Sequence, residues 1–162
     1  MEILRLIQDT SFAVWIRESS WALFFLLIVH TLAMGFLVGT GAAISLRVLG
    51  FVQRAPLSRF SSFLPVMGWA AVFAVISGVG LVMAYPAKAL TNPLFYVKLT
   101  IIVAAAALTL TLARKLFPDA RYQGTPGPSW SRGVAALALL LWVVTIPAGK
   151  FLAYTHKVLL VY

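Results

Sequence analysis

The chain contains no cysteine, and it has only four acidic residues and two histidines. Without cysteine there is no disulfide framework, no thiolate metal site and no cysteine-attached haem. The acids are Glu2, Asp9, Glu18 and Asp119. They form no carboxylate pair, and none lies within a long apolar run, which leaves a proton pump without its usual groups. Charge of either sign is scarce: 10% of residues are charged, against about 25% in a soluble domain. There is no phosphate loop and no nucleophile triad, so no independent catalytic activity is expected. The opening MEILRLIQDTSFAVWIRES mixes acids and bases and lacks the pattern of a signal peptide. The first spanning helix is expected to act as its own insertion signal.

What is present is apolar. Hydrophobic residues make up 62% of the 162 positions, and the mean hydropathy is +0.97. The bilayer is therefore the expected solvent. A net charge of +9 could point to nucleic acid. That partner is excluded, because the basic residues cluster at the ends of apolar runs, where membrane topology places them. The expected fold is all-α: a single domain over 1–162, an integral membrane four-helix bundle with a short interfacial segment at 2–18. Spans are expected at about 20–45, 63–85, 93–113 and 131–155. Each is long enough to cross a hydrocarbon core of roughly 30 Å.

Local signals set the boundaries. Ile3, Leu6 and Ile7 share a face suited to the interface, and Asp9-Thr10-Ser11 offers an N-cap for a second short helix. In the first span Gly35, Gly39 and Ala43 recur every fourth residue, a strip that lets another helix approach closely. Pro86 stops the second span. Asn92-Pro93 starts the third, with Asn as cap and Pro at the first helical position. Pro147 is expected to bend the fourth between Val143 and Pro147. The loops after spans one and three carry Arg47, Arg54, Arg59, Arg114, Lys115, Arg121 and Arg132; the other side carries Arg5, Arg17, Lys88 and Lys157, with Lys98 and Lys150 inside helices. This bias places both termini on the periplasmic side of an inner membrane.

His30 is the first candidate functional residue. It lies roughly 14 Å along the helix from Trp21, near the bilayer midplane, and an ionisable group there is a site hypothesis by default. Its imidazole can serve as an axial ligand to haem b or as a copper ligand. It can equally serve as a packing residue hydrogen-bonded across the bundle. Small residues at its depth, Ala104 to Ala107 and the stretch from Ile76 to Gly80, leave room for a macrocycle or for close backbone packing. His156 lies too far along its helix to complete a bis-histidine haem. Met34, one turn from His30, could join it on a soft ion such as Cu(I), or fill the core. Lys98 and Lys150 could clamp an anionic group above His30, or extend to the interface. Arg17 and Glu18 could pair with each other or complete that clamp.

The stretch SFAVWIRESSWALFFLLIVHTLAMGFLVGTGAAISLRVLGF resembles the start of an uncharacterised family of small four-helix bacterial inner-membrane proteins. NPLFYVKL and AGKFLAY are similar to that family's third-helix start and its end. A more distant likeness runs to the membrane domain of copper-resistance D proteins and to four-helix b-type cytochromes. Members of that family often carry a histidine late in the third helix, where this chain reads LTLTLARK; if that histidine is a ligand there, the site is altered or lost here. The resemblance implies a bacterial inner-membrane location. Two functions follow. In one, the protein is a redox or cofactor-binding module for haem b or copper, with His30 as ligand and Lys98 and Lys150 steering an anionic group. In the other, it is a non-catalytic scaffold or anchor joined to other membrane or periplasmic subunits, with Trp15, Trp21, Tyr85, Tyr96 and Tyr154 as interface anchors. A transporter ranks third, since one kinked helix and no buried acid give it little to work with.

Overall fold

A computed structural model describes residues 2–123 and 127–158, with side chains over 4–119, 121–123 and 127–151. The described chain is helical throughout: α1 (Glu2–Gln8), α2 (Ser11–Glu18), α3 (Ser20–Leu49), α4 (Phe63–Ala84), α5 (Pro86–Leu90), α6 (Pro93–Leu116) and α7 (Ser129–Val158), with 3-10 turns at Leu57–Ser62 and Ala120–Tyr122. Among the described residues, four helices are long and apolar enough to cross a membrane: α3, α4, α6 and α7. The protein is a multi-pass membrane protein.

The helix boundaries follow from capping chemistry. Thr10 accepts from the Ala13 amide at 3.3 Å and opens α2. Ser19 accepts from Ala22 at 3.2 Å and opens α3. Asn92 accepts from Leu94 at 3.0 Å and opens α6, with Pro93 next. α3 runs a turn further than the expected end near 45. It stops at Gly50, whose φ of 109° only glycine adopts freely and whose amide returns to the carbonyls of Leu46 and Arg47. Pro86 ends α4 as expected, but the segment after it is the short helix α5 rather than an open loop, because a proline at the first position suits a new helix as well as it ends an old one. Helix α7 continues through Pro147.

α3 is the central helix. It packs along α4 on one side and α7 on the other, while α6 packs along α7 and meets α3 only sparsely. The short helices α1 and α2 lie over the ends of α3, α4 and α5. The interior is layered at intervals of seven residues. At the loop end, Ile44, Leu112 and Ala135 are buried with Phe63 against them. Seven residues along each helix, Leu37, Ala70, Ala105 and Trp142 form the middle layer. Another seven lead to His30, Ser77, Lys98 and Gly149. A seven-residue repeat corresponds to 3.5 residues per turn and favours a left-handed supercoil.

Trp142 fills the middle layer and is fully buried. Its indole N–H donates to Thr109 Oγ1 at 3.0 Å, and Thr109 in turn donates to the Ala105 carbonyl at 2.8 Å. Gly41 makes room for it, since a Cβ there would fall inside the indole ring. The alanines of α6 therefore lie deeper than His30, and the space at Ala105 is taken by tryptophan, not left for a macrocycle.

Candidate functional site

The outermost of the three layers carries the polar side chains. Ser77 donates its hydroxyl hydrogen to the Phe73 carbonyl one turn back. Its oxygen is then an acceptor for His30 Nδ1–H at 3.0 Å, and the Ala74 carbonyl accepts from the same group at 3.2 Å. The Ala74 carbonyl can only accept, so that bond requires a proton on Nδ1, and in the neutral ring Nε2 keeps its lone pair. The imidazole lies against α4, where Gly78 has no side chain: a Cβ there would stand 3.3 Å from His30 Cε1. His30 thus faces a neighbouring helix and ties α3 to α4.

The other sequence-derived candidates are distributed around it. Met34, one turn inward, is half-buried and packs on the layer of Leu37, Met67, Ala70, Ala105 and Trp142. Lys98 is half-buried, within electrostatic reach of His30, and its Nζ lies 3.5 Å from where a Cβ of Gly149 would stand. Lys150, the next residue on α7, is exposed. Arg17 does not pair with Glu18. It donates to the carbonyls of Gln8 at 2.7 Å and Ala84 at 3.3 Å, tying the ends of α1 and α4 to α2. Trp15, Trp21, Tyr85 and Tyr96 are exposed; the side chains of Tyr154 and His156 lie outside the described residues.

Among the described residues no three of His, Cys, Asp and Glu come together. His30 offers one nitrogen, Met34 is absorbed in apolar packing, and the alanine gap holds Trp142. An apolar groove of about 450 Å³ runs between α2, α3 and α4, but its lining, which includes Trp15, Trp21, Phe25 and Phe73, contains no ionisable group.

Arg47 is the polar residue that sequence reasoning undervalued. Expected as one of the basic residues of the loop after the first span, it is buried to 1% exposure. It donates to the carbonyls of Ala55 at 2.8 Å, Gln53 at 3.5 Å and Gln123 at 3.3 Å. Its Nη1 has no partner. The turn it holds includes Val52 at φ 53°, a conformation unfavourable for a β-branched residue. Gln123 completes the clasp: its side chain accepts from the Ser58 amide at 2.8 Å and donates to the Phe117 carbonyl at 3.0 Å. Both loops at this end are thereby fastened to the end of α3. Beyond α6, Arg121 chelates Asp119, with the closest contact at 2.7 Å. Hydrogen bonds from the Arg121 side chain and amide hold the Asp119 carboxyl below the usual carboxylate range.

The chain matches no family model, no curated protein and no solved structure. Its likeness to the inner-membrane family rests on the quoted motifs alone.

Proposed function

We propose that this protein is a non-catalytic scaffold or anchor subunit of a larger assembly in a bacterial inner membrane, with both termini periplasmic. The observation that carries the proposal is the use made of His30. The one intramembrane histidine with a described side chain is spent on holding α3 to α4 through Ala74 and Ser77. The outward face of α3 supports the same reading. Gly35 and Gly39 are exposed, and a Cβ on either would meet nothing within 4 Å, so among the described residues this strip has no partner. Small residues at that spacing let a further membrane helix come close.

The test is native electrophoresis of protein extracted in mild detergent. Wild type should migrate as an assembly larger than one chain. Gly39→Leu, which meets open space within the monomer, should release it to the size of a single chain, while His30→Ala should not. Wild-type protein running as a single chain would overturn the proposal. A second reading is kept by one observation, that the hydrogen bonds of His30 use Nδ1 alone; Nε2 could ligate a haem or copper whose other ligand comes from another subunit. Its signature is a Soret band, or bound copper, lost in His30→Ala.

A further inference from the structure

We propose that the outer ends of α6 and α7 bind an anionic phosphate group between Lys98 and Lys150. Lys98 follows the Asn92 cap by six residues, roughly 9 Å along the helix. Its side chain turns toward α7, with the ammonium over Gly149, instead of extending toward outer water. Lys150 is the next residue on α7, so the two lysine stems stand at one level of a packed helix pair. Among the described residues no acid pairs with either lysine: Asp9 and Glu18 make no ion pair, and Asp119, at the opposite end, is held by Arg121. Lys98 has no ion pair among the described residues. His30 adds no negative charge. Lys98 is half-buried without a counter-charge among the described residues and carries a desolvation penalty, Lys150 stands exposed beside it, and an anion reached by both relieves that penalty and their mutual repulsion.

Phosphate is the anion that fits. An ammonium is a compact point charge that takes phosphate without the planar match an arginine imposes. Gly149 keeps the α7 backbone open beside Lys98 Nζ. The level, a turn or two below the membrane boundary, is where a lipid phosphate can be reached by a lysine stem. The phosphate can belong to an anionic phospholipid or be free.

The test uses full-length, delipidated protein in detergent and measures binding of phosphatidylglycerol, phosphatidylcholine and inorganic phosphate by native mass spectrometry and thermal shift. Wild type should prefer phosphatidylglycerol over phosphatidylcholine. The preference should fall about fivefold in Lys98→Gln and in Lys150→Gln, the effect expected for one lysine near a charged surface. Lys98→Arg should retain it. Gly149→Val, which keeps both charges but fills the space beside Nζ, should weaken it. Competition by inorganic phosphate identifies free phosphate as the ligand; lipid binding without such competition identifies the headgroup. Should Lys98→Gln fail to fold, Lys150→Gln and Gly149→Val decide. Equal binding of the two lipids with no response to inorganic phosphate, or a preference unchanged in Lys150→Gln and Gly149→Val, would overturn the proposal.

Discussion

Adding one methyl group at Gly41 tests the packing of the middle layer. The nearest atoms to a Cβ there belong to the Trp142 indole, and Nε1 is among them. The ring cannot swing away freely, because Nε1 donates to Thr109 Oγ1 at 3.0 Å and the ring is fully buried. Gly41→Ala therefore pushes α3 and α7 apart and strains or breaks the indole hydrogen bond. Overpacking costs about 1–3 kcal/mol, and an interhelical hydrogen bond in a membrane protein averages about 0.6 and reaches about 1.7 kcal/mol. The expected loss is about 2–4 kcal/mol, partly offset by the better helix propensity of alanine. The assay is unfolding by SDS in mixed micelles, followed by circular dichroism. Trp142→Phe removes bulk and the N–H together, and Thr109 stays satisfied through its own bond to Ala105. The double variant Gly41→Ala/Trp142→Phe should therefore be more stable than the sum of the single changes, with a coupling of at least about 1 kcal/mol. Gly41→Ala as stable as wild type, or strict additivity, would refute this account of the layer.

Three further outcomes are expected. Cysteines placed at Ser58 and Ser129 should resist impermeant thiol reagents in intact cells, since both flank the more basic loops; rapid labelling of both would reverse the orientation. Arg47→Ala should cost about 2–4 kcal/mol in the same SDS assay, because its charged hydrogen bonds and stem packing are lost while the cost of burying the charge is relieved. Arg47→Met, which removes the unpaired charge and keeps the length, should cost less, and the reverse ranking would contradict the clasp. The Asp119 carboxyl, lowered by Arg121, contributes stability above its unfolded pKa and loses it as pH falls through its folded pKa. Its NMR titration midpoint should lie below the ordinary value of about 3.9 and move up in Arg121→Gln; because the pair is solvent-exposed, added salt should shrink the shift.

Much of the architecture was legible in the residues. Run length fixed the four spans, and Pro86 and Asn92-Pro93 placed the end of the second and the start of the third, since caps and proline act within a few residues of where they sit. The seven-residue layering was harder to see. In a sequence that is apolar on every face, Ala70, Ala105 and Gly149 carry no contrast, and only their opposition to large partners such as Trp142 reveals the repeat. The site divided similarly. That His30 would face a neighbouring helix was readable from the cost of an unpaired imidazole N–H in hydrocarbon. Its acceptors, the Ala74 carbonyl and Ser77, depend on the rotation of α4, which a helix apolar all round does not encode locally. Arg47 looked like a boundary charge because its partner Gln123 is 76 residues away.

That separation bears on the order of synthesis. The α3–α4 hairpin emerges early with its principal contacts already in hand, since α4 packs mainly on α3. The clasp at its end does not. The guanidinium must wait for the turn after α6 before its last acceptor exists, and α6 itself has little hold on α3 until α7 arrives between them. The final helix is thus the keystone of insertion. Until Trp142 enters beside Gly41, the nascent protein is a hairpin and a loosely attached third helix, with the end of α3 still only partly fastened.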